Sequence, residues 1–181
     1  LIRRQRQMCI RDRGNNVMND EDTIVIEELK NSELNEFRKL VKEVFNNYDT
    51  TYVLKALGHV KTYIAKYEDK IVGFIETYMT RIDNTRVGVI YYIGVHPKFR
   101  KKGVGKALVT YAISHFRKHN AKIVLASTRT WNIEARNFFK NLGFEELPYE
   151  RVIKEKGYEY FLKLVRALYA YEDDIFLIKK L

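Results

Sequence analysis

The 181-residue sequence holds a single cysteine, Cys9, which leaves it no internal disulfide. Its four histidines show no partner pattern, and no Cys/His spacing of a zinc site occurs. No apolar run approaches the ~20 residues of a membrane-spanning helix, so no membrane partner is expected. No internal repeat is present. What remains is the composition of a globular protein, 46% hydrophobic and 31% charged, of a length that suits one domain with a sizeable core. Acidic residues are outnumbered, 23 Asp and Glu against 33 Lys and Arg, for a formal charge of +10.

Part of that charge sits in residues 1–17. Arg3, Arg4, Arg6, Arg11 and Arg13 fall there with no apolar periodicity and no signal-peptide core, ahead of Met18. This segment reads as a non-native or disordered leader, with a basic arm for nucleic acid as the alternative. Residues 18–181 then form a single domain. Cys9 belongs to the leader, which leaves the domain no thiolate chemistry.

The domain is organised around Val95-His96-Pro97-Lys98-Phe99-Arg100-Lys101-Lys102-Gly103-Val104-Gly105-Lys106-Ala107-Leu108. The β-branched and aromatic run from Val87 to Val95 predicts a strand. Val104, Leu108, Ala112 and Phe116 recur at helical spacing. Between them lie two glycines and the cations Lys98, Arg100, Lys101, Lys102 and Lys106. Glycines let backbone approach a ligand, and the first turn of a helix offers unpaired N–H groups at its positive end. Such a turn suits a phosphate or pyrophosphate. A Walker A loop fails, because Arg100 stands where its first glycine belongs and Ala107 follows the lysine. A dinucleotide fingerprint fails at Leu108. The pattern Arg/Gln-x-x-Gly-x-Gly/Ala is met in full by Arg100 to Gly105.

That hexapeptide resembles the acyl-CoA loop of the GNAT N-acetyltransferase superfamily. A second block, Asn132-Ile133-Glu134-Ala135-Arg136-Asn137-Phe138-Phe139-Lys140-Asn141-Leu142-Gly143-Phe144, resembles the family's second signature and follows a β-type run, Ile123 to Ala126. The resemblance covers roughly residues 23–181. It implies an α/β (α+β) GNAT fold, a mixed, mostly antiparallel sheet of about seven strands flanked by helices. It also implies acetyl-CoA as cofactor, a small-molecule or peptide amine as acceptor, and a cytoplasmic monomer or homodimer. Nucleic acid is not expected as a partner, because much of the basic charge is accounted for by the CoA loop.

Taken in order, Thr23 to Leu29 predicts a strand. Asn31-Ser32 caps a helix bearing Leu34, Phe37, Leu40, Val41, Val44 and Phe45 on one face. A short helix over Asp49 to Gly58 follows. Two strands surround a turn at Glu68-Asp69-Lys70, and Asp83-Asn84 turns into the strand at Val87. Asn120 and Gly143 mark helix ends. Phe144 to about Val152 predicts a strand and Asp174 to Lys180 the last one. Between them an extra helix starts at Gly157, with Tyr158, Phe161, Leu162, Val165, Leu168 and Tyr169 as its stripe. That stripe suits added core, a dimer contact, or a lid over the acceptor.

The resemblance implies that Arg100, Lys101, Lys102, Gly103, Val104, Gly105 and Lys106 hold the CoA pyrophosphate. It implies that the backbone of Ile93, Gly94 and Val95 bonds the pantetheine arm, with Gly94 leaving room. Asn132 contacts the cofactor or caps its helix, or does both. Phe139 stands where the family places a tyrosine acid, and phenylalanine has no proton to give. Positions that often carry a base hold Val89 and Ser127. Glu76, Tyr91 and Tyr92 remain as base candidates. His96 reads as a solvent-facing turn residue. The implied reaction is acetyl transfer to a primary amine by direct attack; the alternative is a non-catalytic acyl-CoA-binding or sensing module.

Overall fold

The computed structural model describes residues 23–181; the leader, with Cys9 and Met18, lies outside the described residues. The elements are β1 (Val25–Glu28), α1 (Leu34–Val44), α2 (Asn47–Ala56), β2 (Lys61–Tyr67), β3 (Lys70–Ile82), β4 (Thr85–Val95) and α3 (Val104–Lys118), then β5 (Ile123–Thr128), α4 (Ile133–Asn141), β6 (Glu145–Pro148), α5 (Tyr149–Lys156), α6 (Tyr158–Leu168) and β7 (Ile175–Lys180). Seven strands form one sheet in the order β1-β2-β3-β4-β5-β7-β6. The β4–β5 pair is parallel, while β1–β2, β2–β3, β5–β7 and β6–β7 are antiparallel. This is the mixed, mostly antiparallel sheet the sequence predicts. Among the described residues no helix is long and apolar enough to cross a membrane.

The chain divides into two compact units. One runs to Thr77 and takes in Tyr92–Ala112; the other comprises Tyr78–Tyr91 and Ile113–Leu181. In the first unit the β2–β3 turn places Glu68 and Asp69 at φ 48° and 61°, the backbone a two-residue hairpin needs to match strand twist. The stripe of α1 buries Phe37, Leu40 and Val41 against Val53, Ile64, Ile71 and Phe74. Phe37 meets Phe74 edge to face, 5.1 Å between centroids. The start of α1 differs from expectation. A 3-10 turn, Asn31–Glu33, leads into it, and the Glu33 carboxylate accepts from the Lys30 N–H at 2.9 Å. The longer glutamate arm, rather than Asn31 or Ser32, reaches the open donor. Lys66 joins Glu33 and Glu27, tying β1, β2 and this turn together. Gly73 of β3 seats α3: a Cβ there would lie 3.0 Å from Val104 Cγ1 and 3.3 Å from Leu108 Cδ1.

The second unit packs Val87, Val89 and Leu125 against Val152, Leu164, Val165, Leu168 and Phe176. Asn120 (φ 60°) and Gly143 (φ 82°) take left-handed backbone after α3 and α4, as expected. The segment between the last two strands corrects the sequence reading once. The strand expected to reach Val152 stops at Pro148, whose ring opens the unexpected helix α5. The extra helix expected from Gly157 is α6, which that glycine separates from α5 with φ 88° and ψ 161°. Leu164, Val165 and Leu168 of the stripe are buried as added core, whereas Tyr158 and Tyr169 are 60% and 65% exposed. The stripe therefore serves this unit's own sheet, and its two end tyrosines do not belong to it.

In the same unit Gly88 lies beneath Phe116, where a Cβ would come within 2.4 Å of the ring. A ring clamped in a packed core cannot give that much. Gly88→Ala should lose about 1–3 kcal/mol in urea unfolding, and an unchanged midpoint would show that Phe116 is not held there.

Candidate active site

In the first unit β4 delivers the basic loop. The His96 N–H donates to the Val72 carbonyl at 2.8 Å, ending the strand in register. His96 Nδ1 accepts from the Lys98 N–H at 3.2 Å and so caps the 3-10 turn Pro97–Phe99. Its Nε2 lies 3.3 Å from Glu43 Oε2. Both ring nitrogens are engaged, which makes His96 a turn cap rather than a solvent-facing side chain. Arg100 Nε donates to the Val95 carbonyl at 3.1 Å, and the Lys102 ammonium lies over the Phe99 ring, 5.6 Å from its centroid.

Lys101 (φ 57°) and Gly103 (φ 85°) then turn the chain into α3. The Gly103 carbonyl accepts from the Ala107 N–H at 3.0 Å, so Gly103 stands at the N-cap. The N–H groups of Val104, Gly105 and Lys106 have no acceptor within the helix by its geometry, and the helix dipole places positive charge behind them. Val104 is buried and anchors the turn, while Lys98, Arg100, Lys101, Lys102, Gly103 and Lys106 are exposed around it. An exposed helix start ringed by cations suits an anion.

The parallel ladder between β4 and β5 is short. It runs from Val87–Ile123 to Val89–Leu125. Beyond it β4 continues to Val95 and β5 to Thr128, and β5 pairs with β7 along its full length. Among the described residues the two strands part after Val89 and Leu125. Ile93 and Val95 lie on β4 past that point and are half-buried; Gly94 is buried. The room expected at Gly94 is already filled. A Cβ there would meet Phe74 at 2.8 Å and Val44 at 2.9 Å, so this glycine serves packing.

Glu76 on β3 is fully buried, and among the described residues neither carboxylate oxygen has a hydrogen-bond partner. Burial pushes its pKa up to about 8, because removal from water penalises the charged form. Directly opposite on β2 stands Thr62, whose Oγ1 is buried and also lacks a partner. Strand alternation puts both on the face of Ile64 and Phe74, under the α1–α2 core. Tyr92 meets Phe45 edge to face at 5.6 Å and donates its hydroxyl to Asp49 Oδ1 at 3.0 Å.

The second unit holds the other candidates. Tyr91 packs with Tyr78 and Tyr169. Asn132 Oδ1 accepts from the Ala135 N–H at 3.1 Å and caps α4. Phe139 is nearly fully buried between Phe138 and Phe144, 5.1 Å from each. Ser127 donates its hydroxyl to Asp173 Oδ2 at 2.5 Å. Sequence reasoning finds no carboxylate at Ser127; the fold brings one there from 46 residues away. Neither this pair nor the Thr62–Glu76 pairing leaves a local signal in the sequence.

The sequence model of the Acetyltransferase (GNAT) family matches residues 26–144, and the chain belongs to that family. An uncharacterized N-acetyltransferase of Methanocaldococcus jannaschii is 42% identical over 60 residues, 33% of this chain and 26% of that protein. The chain thus matches about a quarter of the length of that relative. Among solved structures, Arabidopsis thaliana Naa50 in complex with the bisubstrate analogue CoA-Ac-MVNAL is similar with a TM-score of 0.62 at 20% identity, over 87% of this chain and 99% of that one. The ribosomal-protein-S18-alanine N-acetyltransferase of Escherichia coli is similar with a TM-score of 0.58 at 17% identity, over 86% and 90%. At these identities the two likenesses concern the fold.

Glu76 gives the site a pH signature. Its ordinary pKa of 4.5 is raised to about 8 in the fold. The folded state therefore keeps a proton that the unfolded state releases. Wild-type stability should fall as pH climbs from about 4.5 through about 8 and then level off. Glu76→Gln, neutral throughout, should gain on wild type between about pH 5 and about pH 9 in urea unfolding. A difference independent of pH would show that Glu76 is ionised in the fold.

Proposed function

We propose that the chain transfers an acetyl group from acetyl-CoA to a primary amine by direct attack in a ternary complex. The observation that carries this reading is the exposed, basic start of α3. The backbone N–H groups of Gly103, Val104, Gly105 and Lys106 would hold the pyrophosphate, with Arg100, Lys101 and Lys102 around it. Gly103 supports the fit: it is exposed, in left-handed backbone and without a Cβ over the helix start. Ile93, Gly94 and Val95 would offer backbone groups to the pantetheine arm; for Asn132 and Phe139 a cofactor contact rests on the family resemblance alone.

Acetyl-CoA supplies an activated thioester. The amine nitrogen bonds the acetyl carbon as the carbon–sulfur bond breaks, and the sulfur leaves with the electron pair. The ammonium proton must be lost before attack. Glu76 is the favoured acceptor of that proton. Burial raises its proton affinity and lowers that of an entering amine, so the two approach each other. Tyr91 and Tyr92 are the other candidates, and Tyr92 already donates its proton to Asp49. Phe139 offers no acid, so the sulfur departs as thiolate. That same lack favours the second reading, a binding module without turnover.

Gly103→Val should weaken acetyl-CoA binding at least tenfold, about 1.4 kcal/mol, in a calorimetric titration of the folded variant. Retained affinity would remove the loop from the site. CoA release from wild type against a panel of amines and peptides separates the enzyme from the binding module.

A further inference from the structure

His96 stands where β4 gives way to the basic loop, and all of its polar groups are committed. Its N–H donates to the Val72 carbonyl and its carbonyl accepts from the Phe99 N–H, both at 2.8 Å. Its Nδ1 accepts from the Lys98 N–H at 3.2 Å, and its Nε2 lies 3.3 Å from Glu43 Oε2 on α1. These contacts fix the form of the ring. A nitrogen that accepts a hydrogen bond carries no proton, so the neutral ring keeps its proton on Nε2 and donates it to Glu43. A second proton can go only to Nδ1. There it would meet the Lys98 N–H donor to donor, and the cap would be lost while the Glu43 contact stayed. Asparagine also holds the N–H two residues on, through a side-chain oxygen that does not titrate.

The capped turn, Pro97–Phe99, aims the cations of the loop. The Phe99 ring lies 6.0 Å from the His96 ring and 5.4 Å from the Tyr67 ring, and it carries the Lys102 ammonium over its face. Beyond it Lys101 takes left-handed backbone, φ 57°, against the preference of a residue with a Cβ. Such a loop must be held at both ends. Buried Val104 holds the helix end, and His96 holds the strand end.

The ring is within reach of solvent protons. It lines a groove of about 300 Å³ between α1, the β2–β3 turn and the Pro97–Phe99 turn. The titratable groups sharing that groove are Glu36, Lys39 and Glu43 of α1 and Tyr67, Glu68 and Lys70 of the β2–β3 turn. Their carboxylates favour an imidazolium, their ammoniums disfavour it, and the Lys98 cap opposes it.

We propose that His96 is a positioning residue for acetyl-CoA: its neutral ring holds the anion loop in the binding form through the Lys98 N–H, and protonation releases that hold, so acetyl-CoA binds more weakly in acid. This rests on the reading that the loop holds the cofactor.

The test is calorimetric titration of the full chain with acetyl-CoA from about pH 8 down to about pH 5.5, a range that spans the ordinary titration of histidine. Wild type is compared with His96→Asn and His96→Ala. The ligand's phosphates titrate alike in all three, so the ratio of affinities is what is read. At about pH 8 wild type and His96→Asn should bind within twofold of each other, and His96→Ala at least about threefold more weakly. At about pH 5.5 wild type should fall at least about threefold below His96→Asn. In the ligand-free wild type, the Lys98 amide resonance should titrate with the same midpoint as the His96 ring. Should the His96 variants fail to fold, Glu43→Gln serves instead; without the carboxylate that favours the imidazolium, the acid loss should move to lower pH. A wild-type to His96→Asn ratio that does not change with pH overturns the proposal. So does one that rises in acid, which would make the imidazolium an attraction for the pyrophosphate. His96→Ala binding as tightly as wild type at about pH 8 overturns it too, as does a Lys98 amide that stays still while the ring titrates. A wild type that binds no acetyl-CoA at any pH instead overturns the acetyl-CoA reading of the loop.

Discussion

The anion loop depends on one close contact, that of Val104 and Leu108 with Gly73. A helix start binds an anion only if its N–H groups are held in one direction. The contact supplies that hold, because a glycine in β3 lets α3 come down onto the strand until side chain meets backbone. Val104, buried immediately after the N-cap, fixes the first turn from below while its own N–H stays on the open side. Apolar packing thus aims a polar site. The Arg100 bond to Val95 and the Lys102 cation–π contact then place charge around a turn already oriented.

Two carboxylates of the first unit show how differently the fold treats the same group. Glu27 meets the Lys66 ammonium, and that hydrogen bond holds its pKa below the usual carboxylate range. Glu76 lies in an apolar core with no cation and no donor, and burial drives it the other way. The first arrangement contributes to holding β1 and β2; the second costs stability at neutral pH and above.

The sequence shows features whose cause is local. Arg100 to Gly105 announces the loop because glycine spacing and charge are its physics. The α1 stripe, the turn at Glu68–Asp69 and the helix ends at Asn120 and Gly143 are equally plain. Features whose cause is a distant neighbour are hidden. Gly94 looks like room for a ligand until Phe74 and Val44 are seen to fill it. Ser127 looks like a missing carboxylate until Asp173 arrives from beyond three helices. The helix before Gly157 escapes because its residues, Tyr149 to Lys156, bury only Val152. Tyr169 fits the helical period of α6, yet its left-handed backbone turns it out of that face.

The position of β7 has a consequence for synthesis. It lies between β5 and β6, pairing with both, yet it is made after the other six strands of this sheet. Until Ile175–Lys180 leaves the ribosome, β5 and β6 each expose an open edge, and α6 has no Phe176 to cover. The first unit needs nothing later than Ala112 and can close while the remainder is still being translated. Termination before Ile175 would leave β5 and β6 without their shared neighbour, a half-sheet with open edges that invites aggregation.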